Sequence, residues 1–364
     1  MKMRILYVCL LAAVLTACGG RRDVERRLDE ADAVMNCEPD SALTLLEAIC
    51  GDSLGGGQRA RYALLRTKAE VKNYKPVEDD SLISFAAEYY AGRGDSLEAQ
   101  SLFYLGYYNA EKRINDKALV LFSRAYETAL AAHDIFYAAM SAREMSLVYG
   151  RLYMVDEGLK WARIAKHLFA EAGKPIHEAW MEHPIADALI YRGEYTKAKE
   201  LLDSIEHSNL IENVSIWRSL LLDRIKLAFQ LDSCEAVLPL YEQLSDCNYT
   251  FTAHDRLNQA KAAMEEGMLE DAASYLAMAH ELSMSEADSL YDGMVRSELY
   301  AARNNFKDAY RVSKIFGDEL MNSDARLLTH PQTQLLTDNY KLTADIHRLQ
   351  SEKNRTYIIG LAIA

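Results

Sequence analysis

His177-Glu178 and His183 hold the residue types of a helical zinc site, two imidazoles to bind the metal and a carboxylate to act as base. Such a site needs its histidines four residues apart; here they are six apart and fall on different helix faces, so no metal is expected. Leu54-Gly55-Gly56-Gly57 is glycine-rich, yet it follows no strand and lacks the Lys-Ser/Thr of a phosphate loop, and it reads as a loop between hairpins. Arg93-Gly94-Asp95 matches an adhesion tripeptide, but Gly-Arg-Gly-Asp-Ser is also good turn and helix-capping chemistry. No cysteine accompanies a histidine and an acid in a recognisable nucleophilic order. Carboxylates are many but scattered, as on solvated helix faces. Neither an enzyme nor a cofactor-binding protein is expected; interaction is.

Charge and cysteine usage narrow the partners. The 364 residues carry 41 basic and 54 acidic side chains, a net charge of −13. Without the first 17 residues the balance is 39 against 54, or −15, so nothing draws a polyphosphate and nucleic acid is excluded as a partner of these residues. Cys37 and Cys50 flank one predicted helix, and Cys234 and Cys247 bracket another. Thirteen residues of helix span roughly 20 Å, too far for a disulfide, so neither pair should bond within itself. No CxxC spacing is present.

Both ends of the chain point to a membrane. Residues 1–17 combine Lys2 and Arg4, the apolar run from Ile5, and small residues before Cys18, the pattern of an export signal. Leu15-Thr16-Ala17-Cys18 resembles the lipobox of bacterial lipoproteins, which implies cleavage before Cys18 and acylation of its thiol. Acyl chains contribute about 0.8 kcal/mol per buried methylene, enough in combination to hold the protein on a bilayer. Residues 18–23 would be a lipidated linker. At the other end, 357–364 are apolar throughout and follow the charged stretch Glu352-Lys353-Asn354-Arg355. Spanning a hydrocarbon core takes about 20 residues, so this segment reads either as a short apolar tail or, the favoured reading for so apolar an end, as the start of a transmembrane helix.

Between these ends the chain repeats itself. Ala42, Leu82, Ala118, Gly158, Ala198, Ala236, Ala272 and Ala309 follow one another at 36 to 40 residues. A period in that range over most of a chain marks a stacked helical solenoid, whose units bury their apolar faces against neighbours. With half its residues apolar and only six prolines, the chain favours helix. The third unit is clearest: Leu102, Leu105, Gly106 and Ala110 mark one helix, and Ala118, Leu119, Phe122, Ala125 and Ala129 mark the next, at spacings of 3–4. Here the sequence resembles the tetratricopeptide repeat, whose motif wants large, large, small, small, aromatic and small residues where Leu102, Leu105, Gly106, Ala118, Phe122 and Ala125 stand. Met145, Tyr149, Gly158, Ala162 and Ala165 repeat the theme, as do Ala186 with Ala198, Ala260 with Ala272, and Asn305-Phe306 with Ala309. The resemblance implies an all-α, right-handed superhelical solenoid of about eight hairpins over 24–322. The sixth unit departs from the motif, with Asp223 and Arg224 where apolar and small residues belong. Asp40-Ser41 and Asp80-Ser81 are expected to cap second helices. Over 323–356, Leu335, Leu342, Ile346 and Leu349 line a narrow seam, a long helix that caps the last hairpin or pairs with a second copy as a coiled coil.

In this family the first helices line a concave groove that takes partner peptides. Its register assigns Phe103, Tyr107, Arg143, Arg151, Trp180, Asp187, Tyr191, Arg218 and Lys261 to the groove side. Aromatics interleaved with arginines suit an extended peptide or an acidic tail. The whole layout resembles the periplasmic part of Bacteroidetes-type membrane-anchored tetratricopeptide proteins. That implies a lipid-tethered, periplasmic peptide- or protein-binding protein, the sensory part of a signalling protein; the alternative is an envelope assembly or uptake adaptor.

Overall fold

The computed structural model describes residues 22–51, 54–305 and 307–315, and among them every regular element is a helix. Cys18 and the expected segments 1–17, 323–356 and 357–364 lie outside the described residues. The helices are α1 (22–34), α2 (Pro39–Glu47), α3 (Gly56–Lys72), α4 (Ser81–Tyr90), α5 (Ser96–Glu111), α6 (Asn115–Ala131), α7 (Ile135–Arg151) and α8 (Val155–Glu171). They continue as α9 (Pro175–Trp180), α10 (Glu182–Tyr191), α11 (Tyr195–Glu206), α12 (Val214–Gln230), α13 (Val237–Asp246), α14 (Ala253–Glu265), α15 (Leu269–His280), α16 (Glu286–Ala302) and α17 (307–315). Two compact units result: residues to Arg151 with Lys160–Glu178, and Leu152–Leu159 with residues from Ala179 on.

Seven of the eight hairpins turn at the same place for the same reason. Tyr74, Arg113, Tyr153, Gly193, Asp232, Gly267 and Asn304 have φ between 52° and 78° and recur every 35 to 40 residues. This left-handed residue ends the first helix and lets the next amide bond five residues back, as Ile114 N–H does to Asn109 O (2.9 Å) and Met268 N–H to Ala263 O (2.8 Å). In the hairpins of α5–α6 and α14–α15 the second helix then starts at once, from Ile114 and Met268 with ψ near 66° and no side-chain cap. That corrects the expected caps. Asp80 makes no cap bond, and Asp40 sits inside α2 behind Pro39. Side-chain caps open the first helices instead, from extended residues: Asp95, Asn213, Thr252 and Ser285 each accept a backbone N–H of the following turn.

Six of the eight periodic marks are buried, and two are one residue off. In hairpin two Ile83 fills the site instead of Leu82, and in hairpin six Val237 does so instead of the exposed Ala236. A short 3-10 turn, Cys234–Ala236, precedes α13 and shifts its register. In the first unit Phe103 meets Tyr104 at 5.0 Å, Tyr137 at 5.5 Å and Phe122 at 5.8 Å, measured between ring centroids. Hairpin one packs Leu28 and Ala31 of α1, and Met35 just after it, on Ala42 and Leu46 of α2. In the second unit Leu257, Ala260 and Ala263 of α14 meet Ala272, Leu276 and Ala279 of α15, small against large at helical spacing. The fifth hairpin has a broken first arm. Pro184 has no N–H to give Trp180 four residues back, and α9 ends there before α10 resumes.

Candidate functional site

Successive first helices touch, α3 with α5 and α5 with α7 in the first unit, and α10 with α12 and α14 with α16 in the second. Within each unit the first-helix side is therefore the one whose residues face one another.

On the first unit's inner side, Arg61 of α3 reaches Asp29 of α1 at 2.6 Å, and Lys68 lies 3.9 Å from Asp32. Tyr107 of α5 is half-buried, and its phenol pKa is raised by burial, then by Glu111 and Glu144. On α7, Arg143 donates to the buried Glu144, whose carboxyl burial pushes up. Arg151, at the end of α7, has Nε and Nη2 buried with no hydrogen-bond partner. Phe103 is not at this surface. At 2% exposure it belongs to the aromatic core, because the face of α5 toward α6 and α7 takes it in.

The second unit's inner side is a ladder of charge pairs. Asp187 of α10 accepts from Lys226 of α12 at 2.6 Å, and Lys261 of α14 donates to Glu298 of α16 at 2.6 Å while also meeting Glu265 at 2.7 Å. His183 Nδ1 lies 2.7 Å from Asp223 Oδ2, and Lys226 stands 3.8 Å from the other Asp223 oxygen. The Asp223 side chain is 2% exposed, so this departure from the repeat motif is a buried ion site. Burial opposes a proton on His183, but the charge and hydrogen bond of Asp223 outweigh it and raise the imidazole pKa. Burial likewise raises the Asp223 carboxyl. Asp187 and Lys261 are thus already partnered, and Arg218 is turned to the Cys247 and Asn248 carbonyls beyond α13. Trp180, at the α9–α10 break, and Tyr191, at the end of α10, present ring surface at 37% and 66% exposure.

Sequence reading missed the His183–Asp223, Asp187–Lys226 and Lys261–Glu298 pairs. One signal would have found them: their separations of 40, 39 and 37 residues are one repeat period. Two other motifs resolve locally. Asp95 caps α5 by accepting from Glu98 N–H, and the buried Glu98 carboxylate holds the Gly92 and Gly94 amides at 3.0 and 2.8 Å, so Arg93-Gly94-Asp95 is a helix-entry turn. Gly56 and Gly57 start α3 rather than extending the loop. Gly51-Asp52-Ser53-Leu54-Gly55 has the spacing of a hydrolase nucleophile turn, but that turn joins a strand to a helix, and Asp52 and Ser53 lie outside the described residues, which hold no strand. His177 packs against the Phe136 and Phe169 rings. None of Cys37, Cys50, Cys234 and Cys247 is in a disulfide. Among the described residues no group of three metal-ligating side chains converges, and no helix is long and apolar enough to cross a membrane.

No protein-family model matches the chain, and no curated protein matches it in sequence. Solved structures do match in shape. A Rap protein complexed with competence and sporulation factor gives a TM-score of 0.60 at 16% identity, over 85% of this chain and 90% of that one. The apo form of the quorum sensor NprR from B. thuringiensis gives 0.61 at 12% identity, over 82% and 99%. NprR in complex with its cognate peptide NprX gives 0.58 at 13% identity, over 84% and 98%. At such identities the likeness concerns the fold. The chain has a tetratricopeptide-like helical-repeat fold.

Proposed function

We propose that this is a peptide- or protein-binding helical-repeat protein, tethered to the periplasmic face of the bacterial envelope through Cys18 and acting as the sensory part of a signalling protein. The observation that carries the binding half is the nearness of exposed or half-exposed rings to charged groups on the first-helix sides: Tyr107 near Arg143 in one unit, and in the other Trp180 beside His183 and Asp223, with Tyr191 one turn along α10 from Asp187. Rings supply contact area at low entropic cost, and guanidinium grips carboxylates. Shape likeness to NprR, solved with its cognate peptide, supports the same reading. The lipobox-like Leu15-Thr16-Ala17-Cys18 supports the tether, and the apolar 357–364 supports continuation into a membrane.

Selection of peptides from a random display library on the folded protein tests the binding half. Selected peptides should lose roughly 1–2 kcal/mol of affinity on Tyr107→Ala or Trp180→Ala. Unchanged affinity in both, with loss on substituting the far sides of α6 or α11, would place the site elsewhere.

A further inference from the structure

In the second unit the second helices α13 and α15, with α14 between them, enclose a cleft of about 390 Å³. α13 has only ten residues and joins α14 through 247–252, which bring Phe251 to the cleft. Leu238, Phe251, Met268 and Tyr275 give it half-buried apolar and aromatic walls. Its floor is polar. Arg256 of α14 lies over the Phe251 ring, 4.3 Å from the centroid, and its Nη1 donates to Gln259 Oε1 at 2.8 Å. No carboxylate meets Arg256 among the described residues, so the rest of its planar fork is left for an anion. Gln259 lines the cleft at 6% exposure. A guanidinium can only donate, so this bond turns the amide oxygen of Gln259 to Arg256, and the amide nitrogen has no hydrogen-bond partner among the described residues. A buried N–H without an acceptor is costly, and a ligand oxygen in the cleft would meet it. Glu242 and Asp271 line the same cleft, exposed and without a cation among the described residues. At the larger cleft of α2, α3 and α4, about 620 Å³, the buried Thr67 and Tyr62 both have partners, the Ala63 carbonyl and Arg66.

We propose that the cleft of α13, α14 and α15 binds a free α-amino acid with a large apolar side chain. Its carboxylate takes the open edge of Arg256 and the Gln259 amide, its ammonium takes Glu242 or Asp271, and its side chain lies on Phe251, Tyr275 and Met268. A cleft of this size holds one such molecule. Charge selects the zwitterion, since one arginine calls for a carboxylate while two acids repel any anion that brings no cation with it. Lys261, two residues along α14 from Gln259, points the other way, to Glu298 of α16. The cleft is therefore separate from the first-helix side and stands whether or not a peptide binds there.

The test is calorimetric titration of the full chain with L-phenylalanine, L-leucine, N-acetyl-L-phenylalanine and L-phenylalanine amide. L-Phenylalanine or L-leucine should bind, and blocking either charge of phenylalanine should weaken binding at least roughly tenfold, the worth of one charge-assisted hydrogen bond. Arg256→Met and Gln259→Leu, each checked for helix content by circular dichroism, should each lose at least about tenfold in affinity. Gln259→Leu should also keep or raise the thermal midpoint, because it replaces an unmet buried amide with an apolar group of similar size. A lowered midpoint would show that the amide serves the fold and not a ligand. Binding of neither amino acid, or equal affinity in the wild type and Arg256→Met, would overturn the site. N-Acetyl-L-phenylalanine binding as tightly as the free amino acid would overturn the zwitterion and give the cleft to a peptide C-terminus; the amide doing so would give it to a peptide N-terminus.

Discussion

Asp223 and Tyr74 show that single side chains carry measurable consequences. His183 has a pKa above the ordinary imidazole value of about 6.5 because Asp223 lies against it. A group whose folded pKa is raised contributes stability that is complete below its unfolded pKa and lost as pH rises through the folded one. Stability should therefore fall with pH above about 6.5, and the slope should be smaller in His183→Gln, where only the Asp223 carboxyl, itself raised by burial, still contributes. An NMR titration in Asp223→Asn should show the His183 pKa fallen; an unmoved value would break the assignment. His183→Ala leaves a buried carboxylate with only Lys226 nearby and should cost about 2 kcal/mol by urea unfolding. Tyr74 sits in the left-handed region at φ 55° with its ring 97% exposed, so it bears conformational strain without burying anything. Relieving about 1–2 kcal/mol of strain should exceed the roughly 0.5–1 kcal/mol entropic cost of glycine. Tyr74→Gly should thus raise the urea midpoint slightly, and a lowered midpoint would mean the ring has an unrecognised contact.

At the scale of the element, the close approach of α5 and α6 is decided at Gly106. A Cβ there would meet two Phe122 ring carbons at 2.8 Å and the Leu121 Cβ at 3.3 Å. Phe122 is fully buried against Phe103 and has little room to yield. Replacing glycine by alanine gains about 1 kcal/mol of helix propensity, but overpacking a filled core costs typically 1–3 kcal/mol. Gly106→Leu, with far more volume, should lower the thermal midpoint clearly, and an unchanged melt would disprove this packing. The caps form a second test. Thr252 and Asp255 form a reciprocal box at the start of α14, so Thr252→Ala should cost about 1 kcal/mol, while Asp80→Ala at α4 should be near neutral. Apolar spacing made the α5–α6 hairpin legible in advance, since Leu102, Leu105, Ala118, Leu119 and Phe122 are all buried. Cap placement was not legible. Asp and Ser before a helix look the same whether the backbone there is extended or already turning out of a left-handed residue.

For the whole molecule, the described residues make eight helical hairpins. The proposed tether at Cys18 bears on which molecules these hairpins would meet. Labelling cells with a palmitate analogue should mark the wild type and leave Cys18→Ser unmarked while its helix content is unchanged. Persistent label on the variant would exclude lipidation at Cys18.

Periodicity by itself determined the helical class and the hairpin count, because an apolar residue returning every 36 to 40 positions can be buried only by stacking like units. It placed most of the core for the same reason: small and large residues at 3–4 spacing leave one face per helix. Tertiary structure decided the polar residues. Whether Asp187 or Lys261 waits for a ligand or meets a partner depends on which side chain the next hairpin sets opposite, one period away. Phe103 shows the same limit from the apolar side, since its neighbours on α6 and α7 turned an expected groove residue into core. Arg151 shows the converse. Only the arrangement of α5 and α7 reveals that its fork is buried and unmet, for a charge in sequence carries no record of what has failed to pair with it.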